Sequence, residues 1–188
     1  MLKRSIQNIE QNGYRNNRIW VDIEDISPVM VRAVIASEDG RFMEHRGFDI
    51  KELVKMKKEH QKKGKKIRGC STISQQVAKN CFTFCGRNWW RKSFEAYYTV
   101  LIELLWSKER IMEVYLNVAE TGRGLFGVEA ACQRYFSCPA SELTISDAAA
   151  LACVLPKPLT RTPKVVMSIH SDKHLKLSKE VGKAMNKF

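Results

Sequence analysis

Two carboxylates, Glu38 and Asp39, follow the apolar run Val34-Ile35-Ala36 after a single serine, and His45, Gly47 and Asp49 come close behind. An acidic pair at the end of an apolar helix is either a solvated helix end or a carboxylate held in a cleft to move a proton. A second cluster is basic and polar: Gln75, Gln76 and Lys79, with Arg87 further on. On a helix Gln75 and Lys79 are four apart and Gln76 and Lys79 three, so they converge on one face. A lysine beside a helix N-terminus suits a diphosphate, although an ordinary polar helix face has the same pattern. The third feature is Glu95, which with Thr99 and Glu103 repeats by four through the apolar stretch "FEAYYTVLIELLW". Unpaired carboxylates on a buried helix cost on the order of several kcal/mol, so something cationic or aqueous must face that stripe.

The elements that must hold these residues read as helices. "SPVMVRAVIASED" (27–39) has Ser27 as a cap, Pro28 at the first helical position and a stripe of Val31, Val34 and Ile35, and it should stop near Gly40. A second helix starts around Asp49 with Ile50, Leu53, Val54 and Met56 as its apolar edge, then runs into the basic stretch 55–68. From Lys51 to Arg68 there are nine Lys/Arg against two Glu. That stretch is either a solvated mobile loop or an arm that touches anionic head groups or phosphates. "GCSTISQQVAKNCF" (69–82) reads as a sharp helix start: Thr72 and Gln75 fit a capping box, with Ser71 as a competing cap. Residues 88–120 are the strongest helical segment, apolar on most sides and so expected to be buried, with a break at Ser107 and a new helix over 108–117. A Gly-rich turn and another helix follow over 121–136. The small-residue helix of 142–158 opens with the Thr144/Asp147 cap pattern and ends at Pro156 and Pro158. From Lys164 the chain is polar and basic, with one marginal helix at most. No β-rich region or internal repeat is evident, so the expected class is all-α in a single domain.

Composition is that of a globular chain, with 188 residues, 44% hydrophobic and 28% charged. The formal net charge of +12 favours an anionic partner, whether nucleic acid, an anionic membrane surface or a phosphorylated substrate. Six cysteines, at 70, 81, 85, 132, 138 and 153, lack the paired spacing of a zinc site and the density of a disulfide scaffold; buried small apolar residues are the ordinary reading. His170 and His174 could ligate a metal if helical, but a pair in a basic tail is ordinarily solvated, and no metal set is assigned. The N-terminal stretch has no apolar leader, and residues 94–106 are too short to cross a bilayer. Trp89 and Trp90 could sit at a membrane interface, whereas Trp106 reads as core.

Five blocks in fixed order give these features a common meaning. "EDGRFMEHRGFD" (38–49), "GCSTISQQVAKN" (69–80), "RKSFE" (91–95), "KERIMEVYLN" (108–117) and "GRGLFGVEAACQRYF" (122–136) resemble the successive motifs of the peptidoglycan glycosyltransferases, the lysozyme-like enzymes that polymerise lipid II. The resemblance covers roughly residues 20–163 and is nearest the monofunctional, biosynthetic branch. It implies an all-α, lysozyme-like domain over 20–163, between a lead over 1–19 and a basic tail over 164–188. It also implies roles. Glu38 would be the general base that takes the proton from the acceptor sugar's 4-hydroxyl. Glu95 would be the second cleft carboxylate, orienting cationic side chains and helping the leaving group. Lys79 and Arg87 would hold the donor's diphosphate, and Ser71, Gln75 and Gln76 would line its pocket. Asp39, His45 and Arg91 would support the geometry, and Glu113 and Asn117 would brace the cleft floor.

The implied partners are lipid II, the growing glycan strand, an anionic membrane surface and the cell-wall synthesis machinery, not nucleic acid. No cofactor is required; a divalent cation, Mg or Mn, would at most assist the diphosphate. The expected location is the outer, periplasmic face of the bacterial cytoplasmic membrane, with the family's N-terminal anchor helix absent from this chain and no transpeptidase domain following. Cys70, Cys81 and Cys138 stand where the family has other small or apolar residues. A lysozyme-like glycan hydrolase would share the carboxylates but has no need of Lys79 and Arg87. A basic nucleic-acid-binding protein explains the charge but not the Glu95/Thr99/Glu103 stripe. A catalytically inactive homologue acting as a wall scaffold is opposed by the presence of every key residue.

Overall fold

The computed structural model describes residues 17–63, 71–83, 89–169 and 171–185. Among them are nine α-helices and one small sheet. Helix α1 (Pro28–Glu38) begins at the proline, whose missing N–H costs nothing in a first turn. Ser27 precedes it without a side-chain cap; its hydroxyl donates instead to Leu143 O at 3.5 Å. Helix α2 (Ile50–Lys63) is followed by α3 (Ile73–Phe82), α4 (Trp89–Leu105) and α5 (Lys108–Val118). The capping box expected at Thr72 is complete: Gln75 N donates to Thr72 Oγ1 (3.2 Å) and Thr72 N to Gln75 Oε1 (3.0 Å). Ser107 breaks α4 from α5 and caps the latter by accepting from Arg110 N at 3.1 Å.

Three short strands, one ahead of the helices and two after α5, form the sheet, and the sequence signalled only the Gly-rich turn between the last two. They are β1 (Asn17–Arg18), β2 (Glu120–Gly122) and β3 (Leu125–Phe126) in the order β1-β3-β2, parallel between β1 and β3 and antiparallel between β2 and β3. Strands of two or three residues are too short to carry alternation, so periodicity could not reveal them. Helix α6 (Val128–Tyr135) comes next, then α7 (Ile145–Val154), α8 (Pro163–Ser168) and α9 (Asp172–Met185).

The core lies along α5 and α7. Every residue of α5 from Ile111 to Val118 is buried, and in α7 the run Ala148–Val154 is buried throughout. The alanines of α7 let α1, α8 and α9 pack closely on it, and α9 also packs on α1. Helix α3 packs on α4 and on α5. The chain after Lys164 is therefore not a tail with one marginal helix. Helices α8 and α9 fold back onto the body, burying Val166, His174, Leu177 and Val181.

Two more expectations are corrected. The basic stretch continues α2 as helix to Lys63 rather than breaking into a loop, and Ile50, Leu53 and Val54 are exposed on it rather than packed. Residues 64–68 of that stretch lie outside the described residues, as do Cys70, Cys85, Arg87 and His170. Helix α4 is not buried all round. Its inward face is the polar stripe, with Glu95 3% and Thr99 0% exposed, while Trp89 (90%), Trp90 (75%), Phe94, Tyr97, Val100, Leu104 and Leu105 (76%) face outward. Trp106 packs against the core as expected.

Candidate active site

Helix α1 stops between the two carboxylates of the opening motif. Glu38 is its last residue, and Asp39 leaves the helix with φ −157° and ψ 73°, its N–H still donating to Ile35 O at 3.0 Å. The change of backbone sends the side chains to different partners. Asp39 is buried and fully engaged: both oxygens meet His45 Nε2 (2.9 and 3.0 Å), and Oδ2 also accepts from Ile73 N (3.0 Å). Ile73 opens α3, so Asp39 lies at the positive end of that helix. Glu38 stays half-buried and accepts from Gln76 Nε2 through Oε2 at 3.1 Å.

Behind Gln76 stands Tyr115 of α5, which is buried and donates its hydroxyl to Gln76 Oε1 at 3.5 Å. Burial, with Glu38 and Asp39 nearby, pushes that phenol well above its ordinary value of 10.0. It stays a neutral donor at any physiological pH, which fixes the amide of Gln76 with its NH₂ toward Glu38.

Lys79 lies one turn further along α3, three residues from Gln76, and is exposed with no ion pair among the described residues. Ser71 is exposed ahead of the cap. Gln75 commits its side-chain oxygen to the capping box, so what it offers a ligand is its amide nitrogen.

The loop joining α1 to α2 wedges against α3 and α4 through Gly47. Its φ is +85°, its carbonyl accepts from Thr72 Oγ1 at 2.6 Å, and a Cβ there would lie 2.8 Å from Thr99 Cγ2 and 3.3 Å from Glu103 Cγ. Only glycine fits both the backbone and the space. Arg41 ties the same loop to Asp49 (Nη1–Oδ1 3.0 Å), and Asp49 in turn accepts from Glu52 N at 2.9 Å.

The buried stripe of α4 has the cations that its carboxylates demand. Glu95 is paired with Lys92 and with Arg91 (Nη1–Oε2 3.5 Å). Glu103 accepts from Ser74 of α3 and from Lys108 of α5 (2.8 Å), and Lys108 Nζ also lies 4.4 Å from the Phe42 ring centroid. Ser74, Thr99, Glu103 and Lys108 thus join three helices to the motif loop. Glu103 was visible in the sequence as part of the stripe; Ser74 and Lys108 lay inside recognised motifs with nothing in their spacing to mark them as its partners.

Glu113 is paired with Arg110. Asn117 is fully buried and exchanges hydrogen bonds with Val21 (Nδ2 to O 2.8 Å; N to Oδ1 3.0 Å), anchoring the N-terminal segment over α5. A Cβ on Gly127, whose φ is +84°, would lie 2.9 Å from Asn117 O. Ligand atoms of Asp39, His45 and Asp49 all fall within 4.8 Å of one another, but their carboxylates are already bound to Ile73 N, Arg41 and Glu52 N. A guanidinium inside the cluster repels a cation, so this trio does not make a metal site.

The structure therefore brings together two adjoining hydrogen-bonded groups, Glu38–Gln76–Tyr115 and Asp39–His45, with Lys79 on the same helix as Gln76 and Glu95 on the helix packed against it. Arg87 lies outside the described residues. A half-buried carboxylate bonded to the helix that carries an exposed cation, unpaired among the described residues, suits proton removal from an incoming hydroxyl coupled to departure of an anion.

A family model described as Transglycosylase matches residues 3–186. A protein of Salmonella enteritidis PT4 (strain P125109) named "Biosynthetic peptidoglycan transglycosylase" is 55% identical over 147 residues, covering 78% of this chain and 61% of that protein. One of the same name from Shigella boydii serotype 4 (strain Sb227) is 58% identical over 140 residues, covering 74% of this chain and 58% of the relative. The chain spans about three-fifths of the length of the curated relatives it matches.

Proposed function

This chain belongs to the transglycosylase family, and on that footing we propose that it polymerises lipid II into β1,4-linked glycan as a monofunctional, biosynthetic enzyme. Glu38 acts as the base. The acceptor's 4-hydroxyl gives its proton to the Glu38 carboxylate, the oxygen forms a bond to C1 of the donor sugar, and the bond from C1 to the lipid diphosphate breaks from the opposite face. The electron pair leaves with the diphosphate. Lys79 meets the charge that builds there, with Arg87 as its partner cation, and fixed charges at that position lower the barrier because they need no reorganisation. Ser71, Gln75 and Gln76 line the donor side. Glu95 holds Arg91 and Lys92 in place around the leaving group.

The observation that carries this reading is the Gln76 bridge. It fixes the Glu38 carboxylate to the helix that presents Lys79 one turn away, so base and cation share one rigid frame. Asp39 is no competitor for the role of base, because it is buried and makes three hydrogen bonds, with His45 at both oxygens and with Ile73 N, whereas Glu38 stays half-buried. The displacement needs no resident cofactor. A magnesium or manganese ion enters only as a companion of the diphosphate.

The outward aromatic and aliphatic residues of α4, with the lysines of α2, would rest on an anionic membrane surface, which is where a polyprenyl-linked substrate must be collected. On this reading the site works at the outer face of the bacterial cytoplasmic membrane, among the wall-synthesis machinery; no helix in the described residues is long and apolar enough to cross a membrane.

The test is incubation with labelled lipid II, with and without a phosphoglycolipid inhibitor of the family. Glu38→Gln should lower polymerisation by about 10²–10⁴-fold, the range of general-base catalysis, with the fold intact. Retained turnover in that variant removes Glu38 as the base.

A further inference from the structure

The C-terminal helix α9 reaches the residue next to the proposed base. Lys173 Nζ donates to Ser37 Oγ at 3.4 Å, across 136 positions of sequence. Ser37 Oγ in turn lies 3.2 Å from Ala152 O on α7 and 3.4 Å from Glu38 Oε1. A hydroxyl has one proton to give, and here two acceptors compete for it. Lys173 occupies a lone pair of that oxygen, so the proton is left to point at one acceptor or the other. With Glu38 charged, the stronger acceptor is the carboxylate; once Glu38 has taken a proton, the Ala152 carbonyl is the better partner.

We infer that Ser37 and Lys173 are positioning residues for Glu38: Ser37 grips Oε1 and Lys173 of α9 fixes Ser37, while Gln76 grips Oε2 from α3. This rests on the reading of Glu38 as the base. The carboxylate would then be held at both oxygens, its plane set by two donors on opposite sides. Helix α9 is fastened well enough to serve. His174, Leu177 and Val181 are buried, His174 Nε2 bonds Ser146 O at 3.1 Å, and Arg32 Nη1 of α1 donates to Ala184 O at 3.3 Å near the far end of α9. Lys173 lies one residue before the buried His174, so its Cα is fixed although its side chain is exposed.

The ionisable groups around Glu38 are known from each packed element. Asp39 is its neighbour on the chain, Tyr115 faces it from α5, and Lys79 lies along α3 beyond the neutral Gln76. Cys153 of α7 lies within the fields of Glu38, Lys173 and Arg161, its thiol raised by burial. Of these, Lys173 is the cation tied by a hydrogen bond to the residue that touches Glu38.

The experiment measures lipid II polymerisation by the whole chain for Ser37→Ala, Ser37→Thr, Lys173→Met, Lys173→Arg, the double variant Ser37→Ala/Lys173→Met and Glu38→Gln. Rates are taken across pH, and melting temperatures are recorded beside them. Neither positioning residue touches substrate, so Ser37→Ala should lower kcat by about three- to tenfold, the range of one charged-group hydrogen bond weakened by length, and leave KM within about twofold. Losing a donor to the carboxylate favours its protonated form, so the acid limb of kcat/KM should move toward higher pH. Lys173→Met should act in the same direction and less, because its side chain is exposed. The arginine and threonine variants should restore both readouts. Because Lys173 acts through Ser37, the double variant should match Ser37→Ala alone.

If Glu38→Gln is inactive while Ser37→Ala and Lys173→Met keep the wild-type kcat and acid limb, this inference fails alone. It fails too if the two effects simply add. If Glu38→Gln retains turnover, the reading of the base falls and this one with it. Should Ser37→Ala not fold, the surface change at Lys173 and its arginine rescue decide the matter in the same way.

Discussion

Replacing Gly47 by alanine strikes the joint where the motif loop meets α3 and α4. Two penalties apply. The residue sits at φ +85°, a conformation that costs an L side chain roughly 1–2 kcal/mol. The new methyl would also lie 2.8 Å from Thr99 Cγ2 and 3.3 Å from Glu103 Cγ, and Thr99 is fully buried with its hydroxyl tied to Glu95 O at 2.7 Å, so it cannot swing aside. Forcing one carbon into such packing costs about 1–3 kcal/mol. Against these, alanine restricts the unfolded chain and returns about 0.4–1 kcal/mol. The net loss is about 2–3 kcal/mol, a large part of the roughly 5–15 kcal/mol that holds a typical domain together. Denaturant titration followed by far-UV circular dichroism reads it as a lowered midpoint with an unchanged slope. Activity should fall as well, since the Gly47 carbonyl anchors Thr72, the cap of the helix that carries Gln76 and Lys79. A loss under about 1 kcal/mol would mean that the loop does not press on α4 as described, because strain and overlap together, less the entropy returned, come to at least about that much.

Two other changes test the electrostatics of the cluster. Lys79 is exposed and unpaired among the described residues, so Lys79→Ala should leave stability within about 0.5 kcal/mol while lowering use of the lipid diphosphate donor by about 10²-fold; a donor-concentration series beside a thermal melt separates the two. Tyr115 and Cys132 both have folded-state values raised above the ordinary 10.0 and 9.0, by burial first. Each binds its proton more tightly when folded, so the stability they contribute is full below those ordinary values and is lost as pH rises through about 9 to 10 and beyond. Tyr115→Phe should flatten the upper part of that alkaline decline in urea midpoints, and an unchanged slope above pH 10 would show that the phenol is not shielded.

The helices were legible because their ends are chemical. Pro28, the Thr72/Gln75 box, Ser107 and Thr144/Asp147 each mark a start that local hydrogen bonding decides, and the structure begins a helix at each. What failed were inferences about which face is buried. Helix α4 is rich in Trp, Phe, Tyr, Val and Leu, and hydrophobic burial alone would turn those inward. The buried face is instead chosen by partners distant in sequence: Ser74 and Lys108 reach Glu103, and Gly47 leaves room only for Thr99. The packing of α9 was hidden for the same reason. Its buried positions, His174, Leu177 and Val181, are too few to stand out as an apolar stripe in a lysine-rich tail, and the surfaces that receive them belong to α1 and α7. Of the candidate site, the acidic pair and the amide–lysine face were visible as residue types at helical spacing. The tyrosine behind Gln76 and the lysine behind Ser37 were not, since each depends on a contact between distant segments.

The neighbouring acids divide two tasks that one residue could not combine. A general base must keep a lone pair within reach of its substrate, whereas a brace can be buried with its bonds all made. Ending α1 at Glu38 separates them: the helix holds Glu38 on its last turn, and the extended φ of Asp39 carries the second carboxylate inward to His45 and Ile73 N. That inward bond does more than satisfy a buried charge. Ile73 begins the helix on which Gln76 lies one turn later, so Asp39 sets where Gln76 stands, and Gln76 sets Glu38. The aspartate thus sets the distance between base and cation through two hydrogen bonds joined by the first turn of α3. Its replacement by asparagine would be felt first in the alignment of Glu38 with Lys79, ahead of any change in the chemistry of the base itself.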